Sequence, residues 1–329
     1  MNSNIQIRTV QFSDINEWDN LVINSKTATF FQTLDWLRLW IKHFGGNPKI
    51  FGVYENNSLI GIAPFNVVDD HIELLGTSPV LGEQLVSDFG DIIAKEGNEK
   101  AVWLAIIKTI NNLPAGKAGQ QLTISNKFVI NFIREDSPSL PSLKEMGGKM
   151  EENDVAPYVD LPPTWDVYLA RLDRHNRHEL QRKIRKLEAE GAFKVCYEGE
   201  ASDIDEFFRL MTLSNEQKRN FLSAKMRSFF HDIFATFLPK KLLTLCFLKL
   251  DSKNIAAVMG FTFNKQFLLY NSGFDPSFGK FAPGFILKAY LIKHAIEQSF
   301  ARFDFLRGNE RYKYDLGGRQ RKLYTVRLG

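Results

Sequence analysis

The sequence is poor in cysteine and in long apolar runs, and both shortages exclude classes of protein. Only two cysteines, Cys196 and Cys246, occur in 329 residues, which is too few for a disulfide scaffold. Since no CxxC pair or Cys/His cluster is present, we expect no metal site. No apolar run approaches the length that crosses a bilayer, and the polar start MNSNIQIRTVQFSDI has no apolar signal core. We therefore expect a cytoplasmic protein, and a peripheral association with a membrane-bound substrate stays open.

The chain also lacks a large excess of positive or negative charge. The net charge of +4 excludes a strongly cationic coat protein but allows a local basic face for an anionic ligand. Nucleophile-elbow, P-loop and zinc motifs are absent as well. What is present is a 44% apolar fraction with 28 phenylalanines, which is typical of a globular chain with a well-filled core. The length favours two domains.

Alternating helical and strand-like patterns predict two α/β halves. In the first half, the pattern predicts a strand at Ile5–Val10, helices at 14–23, 33–44 and 100–111, and strands at 49–54, 59–68 and 71–75. A turn at 69–70 and a loop at 112–119 are predicted from their polar and Pro/Gly-rich composition. In the second half, the pattern predicts helices at 165–190, 204–217, 224–238 and 285–299, and strands at 242–250, 255–263, 266–274, 302–306 and 323–328.

The two halves resemble each other. The segments KIFGVYENNSLIGIAPFNVVDDHIELLG and LLTLCFLKLDSKNIAAVMGFTFNKQFLLYNSG both read as antiparallel meanders with short polar turns, each preceded by helix. This indicates a duplicated domain, although meanders are common enough that coincidence remains an alternative. Pro- and Gly-rich breaks place the boundary near 150–165, so we predict domains at 1–155 and 156–329.

The first candidate for chemistry is the loop from Phe274 to Gly284. It leaves a predicted strand and leads into a predicted helix. Gly279 and Gly284 would let the backbone approach a ligand closely. A helix N-terminus with Lys280 beside it suits a pyrophosphate. The alternative is an ordinary strand–loop–helix connection.

The second candidate is the C-terminal run FDFLRGNERYKYDLGG. Strand alternation places Asp304 on the face opposite its two phenylalanine neighbours. Glu310, Tyr312 and Lys313 supply a base, an acid and a cation, and Lys313 could stabilise an oxyanion or hold a phosphate. The alternative is a solvated loop with a surface ion pair.

The third candidate is the basic segment RHNRHELQRKIRKLE at 174–188. Leu180, Ile184 and Leu187 form one apolar stripe, and cationic side chains surround it. Such a helix could bind a phosphate-bearing ligand, RNA or an anionic membrane. No aromatic residues interleave with the charges, so base stacking is not indicated. An amphipathic helix with a solvated face is the alternative.

These segments carry a family resemblance. The second half resembles the acetyltransferase domain of the CelD-like branch of the GNAT superfamily, which is related to the Fem-type aminoacyltransferases of peptidoglycan bridge synthesis. The resemblance lies in NRHELQRKIRKLE, IAAVMGFTF, QFLLYNSGFDPSF, an APG before a helix, and FDFLRGNERYKYDLGG. The family's terminal pattern is an aspartate strand, a Gly, a Glu and an aromatic–Lys pair, matched by Asp304, Gly308, Glu310, Tyr312 and Lys313. In the first half, FFQTLDWLRLWIKHFG, LIGIAPF and LLGTSPVLGEQLVSDFGDII resemble the N-terminal portion of the same proteins.

The resemblance implies a mixed α/β fold of two tandem GNAT-like domains packed together, the first of them degenerate. It implies an enzyme that moves an acyl group from a small-molecule donor to an amine or hydroxyl. The GNAT pyrophosphate signature is present only in part across 277–284, so acyl-CoA and aminoacyl-tRNA both stay open as donors. The implied acceptor is a lipid- or sugar-linked envelope or polysaccharide precursor.

The resemblance also implies roles for individual residues. The donor would contact Gly279, Lys280, Ala282 and Gly284, with Tyr270 on the preceding strand. Lys313 would stabilise developing charge, Glu310 or Asp304 would orient or deprotonate the acceptor, and Tyr312 would serve as an acid. A non-catalytic binding protein is a further alternative, which a closed cleft near Lys313 would favour. The oligomeric state stays open.

Overall fold

A computed structural model describes residues 4–68, 71–111 and 127–329 of the chain. The turn expected at 69–70 and the loop expected at 112–119 lie outside these ranges. The chain divides into two compact units, one of residues 1–154 with 321–329 and the other of residues 155–320. Each unit is built on one mixed sheet flanked by helices, which confirms the α/β class expected from the sequence.

The first unit is built on an eight-stranded sheet. Its strands are β1 (Ile5–Val10), β2 (Pro48–Glu55), β3 (Ser58–Val68), β4 (His71–Leu74), β5 (Ile93–Ala94), β6 (Phe128–Arg134), β7 (Lys149–Val155) and the C-terminal β14 (Lys322–Leu328). Its helices are α1 (Trp18–Ile23), α2 (Leu34–Phe44), α3 (Glu99–Asn111) and α4 (Ser139–Glu145). The strand order is β1-β2-β3-β4-β6-β14-β7, and β5 pairs with β3.

The second unit is built on a six-stranded sheet. Its strands are β8 (Tyr158–Asp160), β9 (Phe193–Cys196), β10 (Leu243–Leu250), β11 (Lys253–Phe263), β12 (Gln266–Phe274) and β13 (Arg302–Asp304). Its helices are α5 (Trp165–Arg171), α6 (Arg174–Glu188), α7 (Ile204–Ser214), α8 (Glu216–Phe221), α9 (Ala224–Phe237), α10 (Pro283–Glu297) and α11 (Arg311–Asp315). The strand order is β8-β13-β12-β11-β10-β9, and a short 3-10 helix at Pro276–Phe281 leads into α10.

The two sheets follow one plan. In the first, the antiparallel meander β2-β3-β4 is followed by the helix α3 and by β6, which pairs in parallel with β4. In the second, the antiparallel meander β10-β11-β12 is followed by α10 and by β13, which pairs in parallel with β12. The repeat indicated by the two meander segments therefore extends to the crossover helix and to the parallel strand beyond it.

The last strand departs from the expected domain ranges. Residues 321–329 fall within the predicted domain 156–329, but they belong to the first compact unit. β14 pairs antiparallel with β6, and Val326 and Leu328 are buried in the core of the first unit. β14 thus takes in the first sheet the position that β8 takes beside β13 in the second.

Two predicted helices are each interrupted by a capping residue. The segment 165–190 is two helices, because Asp173 caps α6 by accepting a hydrogen bond at 2.9 Å from the backbone N–H of Asn176. The segment 204–217 is divided at Asn215, whose backbone is extended and whose Oδ1 accepts from the N–H of Lys218 at 2.7 Å. Short polar side chains at such positions compete with the helical backbone and start a new helix instead.

Three further observations bear on the expected class of protein. Cys196 and Cys246 are both free thiols. Within the ranges that the structure describes, no group of three or more His, Cys, Asp or Glu side chains could hold a metal ion. No helix in those same ranges combines the length and the apolar character needed to cross a membrane.

Candidate active site

A cavity of about 470 Å³ lies where the second sheet opens. β12 and β13 pair only from Gln266 opposite Arg302 to Leu268 opposite Asp304, so the remainder of β12 has no β13 partner. Backbone groups along such an open strand edge need other partners, and at Ser272 the N–H donates to Oδ1 of Asn271 at 2.8 Å while the carbonyl oxygen accepts from Lys218. The wall comes from four parts of the second unit: Ser214, Asn215, Lys218, Ser272, Gly273, Phe274, Gly279, Ala282, Pro283, Gly284, Phe285, Lys288, Glu310 and Tyr312.

Gly273 on β12 lets helix α7 pack closely on the strand, and this packing forms one wall of the cavity. A Cβ at Gly273 would lie 2.3 Å from the backbone nitrogen of Met211, so only glycine lets α7 lie directly on β12. The end of α7 and the start of α8 therefore reach the open part of the strand. Lys218 of α8 then donates a hydrogen bond from Nζ to the carbonyl oxygen of Ser272.

The loop that was expected to bind the donor forms the opposite wall, in part. Gly279, Ala282 and Gly284 line the cavity. A Cβ at Gly284 would point at Phe274 and at the Nζ of Lys288, at ordinary contact distances of 3.6 and 3.7 Å. Gly284 thus faces the cavity, but it is not required there by crowding.

Two of the expected donor contacts lie elsewhere. Lys280 is exposed, 3.3 Å from Glu190 in an ion pair, and it is not part of the cavity wall. Tyr270 lies at the irregular position between Leu269 and Asn271 in the β11–β12 register. Its ring packs against Phe261, with 5.1 Å between ring centroids, so the side chain belongs to the packing between sheet and helices. The irregularity turns it there, and strand alternation alone does not reveal such a shift.

The C-terminal motif contributes Glu310 and Tyr312 to the cavity wall. The side chain of Glu310 is 58% exposed, and its Oε2 lies 2.9 Å from Nζ of Lys313. Burial, and next the negative charge of Glu310, raise the pKa of Tyr312 above its usual value, so its hydroxyl keeps its proton at neutral pH. The half-open cavity beside these two residues is not the closed cleft expected of a non-catalytic binding protein.

Lys313 and Asp304 hold the motif together without lining the cavity. Nζ of Lys313 donates to the carbonyl oxygens of Leu306, Arg307 and Gly308 at 3.1, 2.7 and 3.1 Å. With Glu310 as a fourth partner, the ammonium has no proton left for an oxyanion. The buried carboxylate of Asp304 accepts from the backbone N–H of Leu306 at 2.8 Å, which fixes the turn after β13. The geometry therefore gives both residues a structural position.

Two lysines that the sequence reasoning did not select face the cavity. Lys288 lies on α10 and is 7% exposed. Its Nζ has a single hydrogen-bond acceptor, the carbonyl oxygen of Gly284 at 3.3 Å, and lies 4.6 Å from the centre of the Tyr312 ring. Lys218 on α8 lines the same cavity. The one signal in the sequence was a lysine within the otherwise apolar run FILKAYL.

The electrostatics of these lysines follow from burial. Burial, and next the positive charge of Lys218, lower the pKa of Lys288 to about 7, with Lys313 acting in the same direction and Glu310 opposing them. Burial likewise lowers the pKa of Lys218 to about 8, with Glu310 acting in the opposite direction. Both shifts disfavour the charged amines, so the two lysines titrate as a coupled pair near neutral pH. At neutral pH the cavity therefore carries less positive charge than two ordinary lysines would supply.

The basic helix α6 lies against the loop that lines the cavity. Nζ of Lys186 donates to the carbonyl oxygen of Lys280 at 2.9 Å, and its charge lies 5.6 Å from the ring centre of Phe281. Nζ of Lys183 lies 5.7 Å from the ring centre of Phe285. The cations of the third candidate segment are therefore adjacent to the first candidate segment.

Comparison with known proteins finds one family model that is similar to this part of the chain. Residues 174–314 match the family model of the acetyltransferase (GNAT) domain. The match includes α6, the meander, α10 and the C-terminal motif. No curated protein matches the chain.

Solved structures resemble the fold along nearly the whole chain. FemX superposes with a TM-score of 0.69 at 11% identity, covering 98% of this chain and 96% of its own. The C-terminal domain of a putative lysylphosphatidylglycerol synthetase from Agrobacterium fabrum gives 0.58 at 10% identity, covering 96% and 92%. A tandem GNAT protein from the clavulanic acid biosynthesis pathway gives 0.53 at 10% identity, covering 98% of each chain. These likenesses establish two tandem GNAT-like folds.

Proposed function

We propose, from the premise that residues 174–314 form an acyltransferase domain of the GNAT family, that the protein moves an acyl group from acyl-CoA to an amine or hydroxyl of an envelope or polysaccharide precursor. The observation that carries the proposal is the cavity at the sheet opening. It places the N-terminus of α10, the free part of β12 and the C-terminal motif around one space of about 470 Å³. The precursor class rests on the family resemblance of the sequence.

The donor's phosphates would lie at the N-terminal end of α10. This 15-residue helix begins at the cavity with Ala282, Pro283 and Gly284. Pro283 has no N–H and the N–H of Phe285 donates to the carbonyl oxygen of Ala282 at 3.0 Å, so the helix dipole and the N–H of Gly284 are what favour an anion there. Lys183 and Lys186 add positive charge beside the adjoining loop. A pyrophosphate fits this end of the cavity better than a neutral group does.

The acyl carbonyl would lie along the open part of β12. Beyond Leu268 this strand has no β13 partner, and Ser272, Gly273 and Phe274 line the cavity. A backbone N–H of this stretch would polarise the carbonyl and stabilise the oxyanion of the tetrahedral intermediate; for the N–H of Ser272 this requires that the donor displace its 2.8 Å hydrogen bond to Oδ1 of Asn271. Lys313 does not take that role, because its protons are already donated to the loop oxygens. Its proposed contribution is to hold the motif in position.

The acceptor would approach past Glu310. This carboxylate lies at the cavity wall and is largely exposed, so it can attract and orient an amine. Tyr312 lies beside it with its hydroxyl protonated, and it can donate a hydrogen bond to the leaving group. Asp304 is buried away from the cavity wall, which leaves Glu310 as the carboxylate for this step.

Aminoacyl-tRNA is the second candidate donor. The observation that favours it is the exposed row of cations on α6 beside the donor loop, which suits a longer phosphate backbone. Binding to such a row weakens steeply with salt, because counterions are released on association. Affinities measured for tRNA and for CoA at two salt concentrations separate the donors. Tight CoA binding that salt does not change would count against tRNA.

A donor screen tests the proposal. The full chain is heated with each of a panel of acyl-CoAs and with charged tRNA, and transfer to amine and sugar acceptors is followed by mass spectrometry. A true donor raises the melting temperature by an amount that grows with the ratio of its concentration to its Kd. Its acyl group also appears on an acceptor. If no donor raises the melting temperature and none is consumed, the proposal is refuted.

A further inference from the structure

Two lysines line the cavity, a third, Lys313, lies in the adjacent C-terminal motif, and the hydrogen bonds of the three differ. Lys313 is saturated by three carbonyl oxygens and the Glu310 carboxylate. Lys218 donates to the carbonyl oxygen of Ser272. Lys288 has only the 3.3 Å contact to the oxygen of Gly284 and the face of the Tyr312 ring. Of the three amines, Lys288 is the one whose nitrogen is least committed to the protein.

The nitrogen of Lys288 is also aimed at the space where reaction would take place. Gly284 lies one helical turn before Lys288, and a Cβ at Gly284 would lie 3.7 Å from Nζ. Both residues belong to the cavity wall. Since residue 284 has no side chain, residue 284 itself leaves the space beside the amine open. A buried lysine on a core helix is costly, so this orientation calls for a role in the cavity.

We propose that Nζ of Lys288, which lies in the cavity wall beside Gly284, is the base that takes the proton from the acceptor during acyl transfer, and that Lys218 in the same wall assists it through its charge. The inference deepens the proposed function and rests on it. It names a catalytic residue that neither the family match nor the terminal motif supplies.

The step balances with the groups present. The acceptor nitrogen or oxygen attacks the carbonyl carbon of the donor thioester and forms the tetrahedral intermediate, and collapse of this intermediate breaks the bond from that carbon to the sulfur. The acceptor's proton moves to Nζ of Lys288, and the thiolate leaves with the electron pair. The Lys288 ammonium then returns this proton to the thiolate, so the amine is restored for the next turnover.

The charged and titratable groups around Lys288 bias it toward this task. Lys218 on α8 and Lys313 on α11 disfavour its ammonium, and Glu310 favours it. Tyr312 stays protonated, and the face of its ring favours the ammonium once it forms. Glu310 is paired with Lys313 at 2.9 Å, so its effect on Lys288 is divided. Burial is the largest influence, and it lowers the pKa of Lys288 to about 7, which suits a general base near neutral pH.

Two substitutions separate a base from a mere positive charge. Lys288→Arg keeps a cation but cannot accept a proton at neutral pH, and Lys288→Met keeps the apolar stem without the amine. Turnover of acetyl-CoA or charged tRNA, whichever the wild type uses, is measured together with donor Kd. We expect kcat to fall about 100-fold or more in both variants, with donor Kd changed less than threefold. An active Lys288→Arg variant would overturn the proposal.

The pH profile tests the role of Lys218. In the wild type, kcat/KM should rise as pH passes through about 7, because the unprotonated amine is the active form. In Lys218→Met the midpoint should move upward, since a repelling charge is removed, and Lys218→Arg should restore the wild-type midpoint. A midpoint that is the same in all three proteins contradicts the proposed coupling.

The proposed function and the assignment of Lys288 as the base are overturned by different results. If the wild type transfers an acyl group and Lys288→Arg remains active, only the base assignment is overturned. If the wild type transfers no acyl group from any donor, both the proposed function and the base assignment are overturned. Circular dichroism and melting temperature of each variant confirm that a loss of activity is not a loss of fold.

Discussion

Replacing Lys288 by methionine should stabilise the protein, because the buried amine is held in an environment that disfavours its charge. The pKa of Lys288 falls from 10.5 to about 7 on folding. Each pKa unit corresponds to about 1.4 kcal/mol, so the shift corresponds to at most about 5 kcal/mol of unfolding free energy. Methionine fills nearly the same apolar volume. Part of the calculated gain will be lost to relaxation of the cavity, and we expect a measured gain of about 2 to 4 kcal/mol.

The direction in which stability changes with pH depends on whether the folded or the unfolded chain binds the Lys288 proton. Below about pH 7 both the folded and the unfolded chain carry it, so the full cost is present. Between about 7 and 10.5 only the unfolded chain carries it, so the wild type gains stability as pH rises. The advantage of Lys288→Met should therefore shrink by about 2 kcal/mol between roughly pH 6.5 and 8.5.

Urea unfolding of the two proteins at these pH values measures the effect. Lys293→Met is the matched control, since this lysine lies on the same helix with 39% of its side chain exposed. The control should follow the wild type at both pH values. A Lys288→Met protein no more stable than the wild type at low pH, or an advantage that does not change with pH, would refute the reasoning.

Three further predictions concern stability. Gly273→Ala should lower the free energy of unfolding in urea by about 3 kcal/mol, because its Cβ would meet the α7 backbone at 2.3 Å. The control Gly284→Ala, with contacts of 3.6 Å or more, should leave the free energy of unfolding unchanged. Equal stability of the two variants would count against this packing. Lys313→Met should cost roughly 3 kcal/mol, since three carbonyl oxygens lose their donor; an unchanged melting temperature would contradict it. Asp91, buried with Ser137 and Ser139, has its pKa raised by burial from 3.8 to about 7. Wild-type stability should therefore fall by up to about 4 kcal/mol between about pH 4 and 7, and thermal unfolding of Asp91→Asn should lack this decline.

Local patterns predicted the elements well where local physics determines them. The strand Gln266–Phe274 agrees residue for residue with β12, because flanking polar turns mark both ends. Capping residues were the information left unused: Asp173 and Asn215 each interrupt a predicted helix. The sheet that β14 joins could not be read from its own residues, because strand partners are chosen by tertiary contacts.

The candidate site was predicted in outline. The loop with Gly279 and Gly284 and the motif with Glu310 and Tyr312 do meet at one cavity. Lys313 was expected to act on the substrate, yet its donors are used within the motif, and hydrogen bonds to backbone oxygens leave no trace in a sequence. Lys288 was not predicted as a site residue, because helical periodicity places it on a buried face where a lysine is not expected.

Donor binding by a variant with a filled cavity tests the central claim most directly, namely that acyl transfer takes place in the cavity at the opening of the second sheet. Gly284→Leu points a side chain at Phe274 and at Nζ of Lys288, and Ala235→Leu on the exposed side of α9 is the control. With the melting temperatures of both variants near that of the wild type, calorimetry should find donor affinity reduced at least about 100-fold in Gly284→Leu and unchanged in Ala235→Leu. Donor binding by Gly284→Leu with wild-type affinity would place the donor elsewhere and contradict the account.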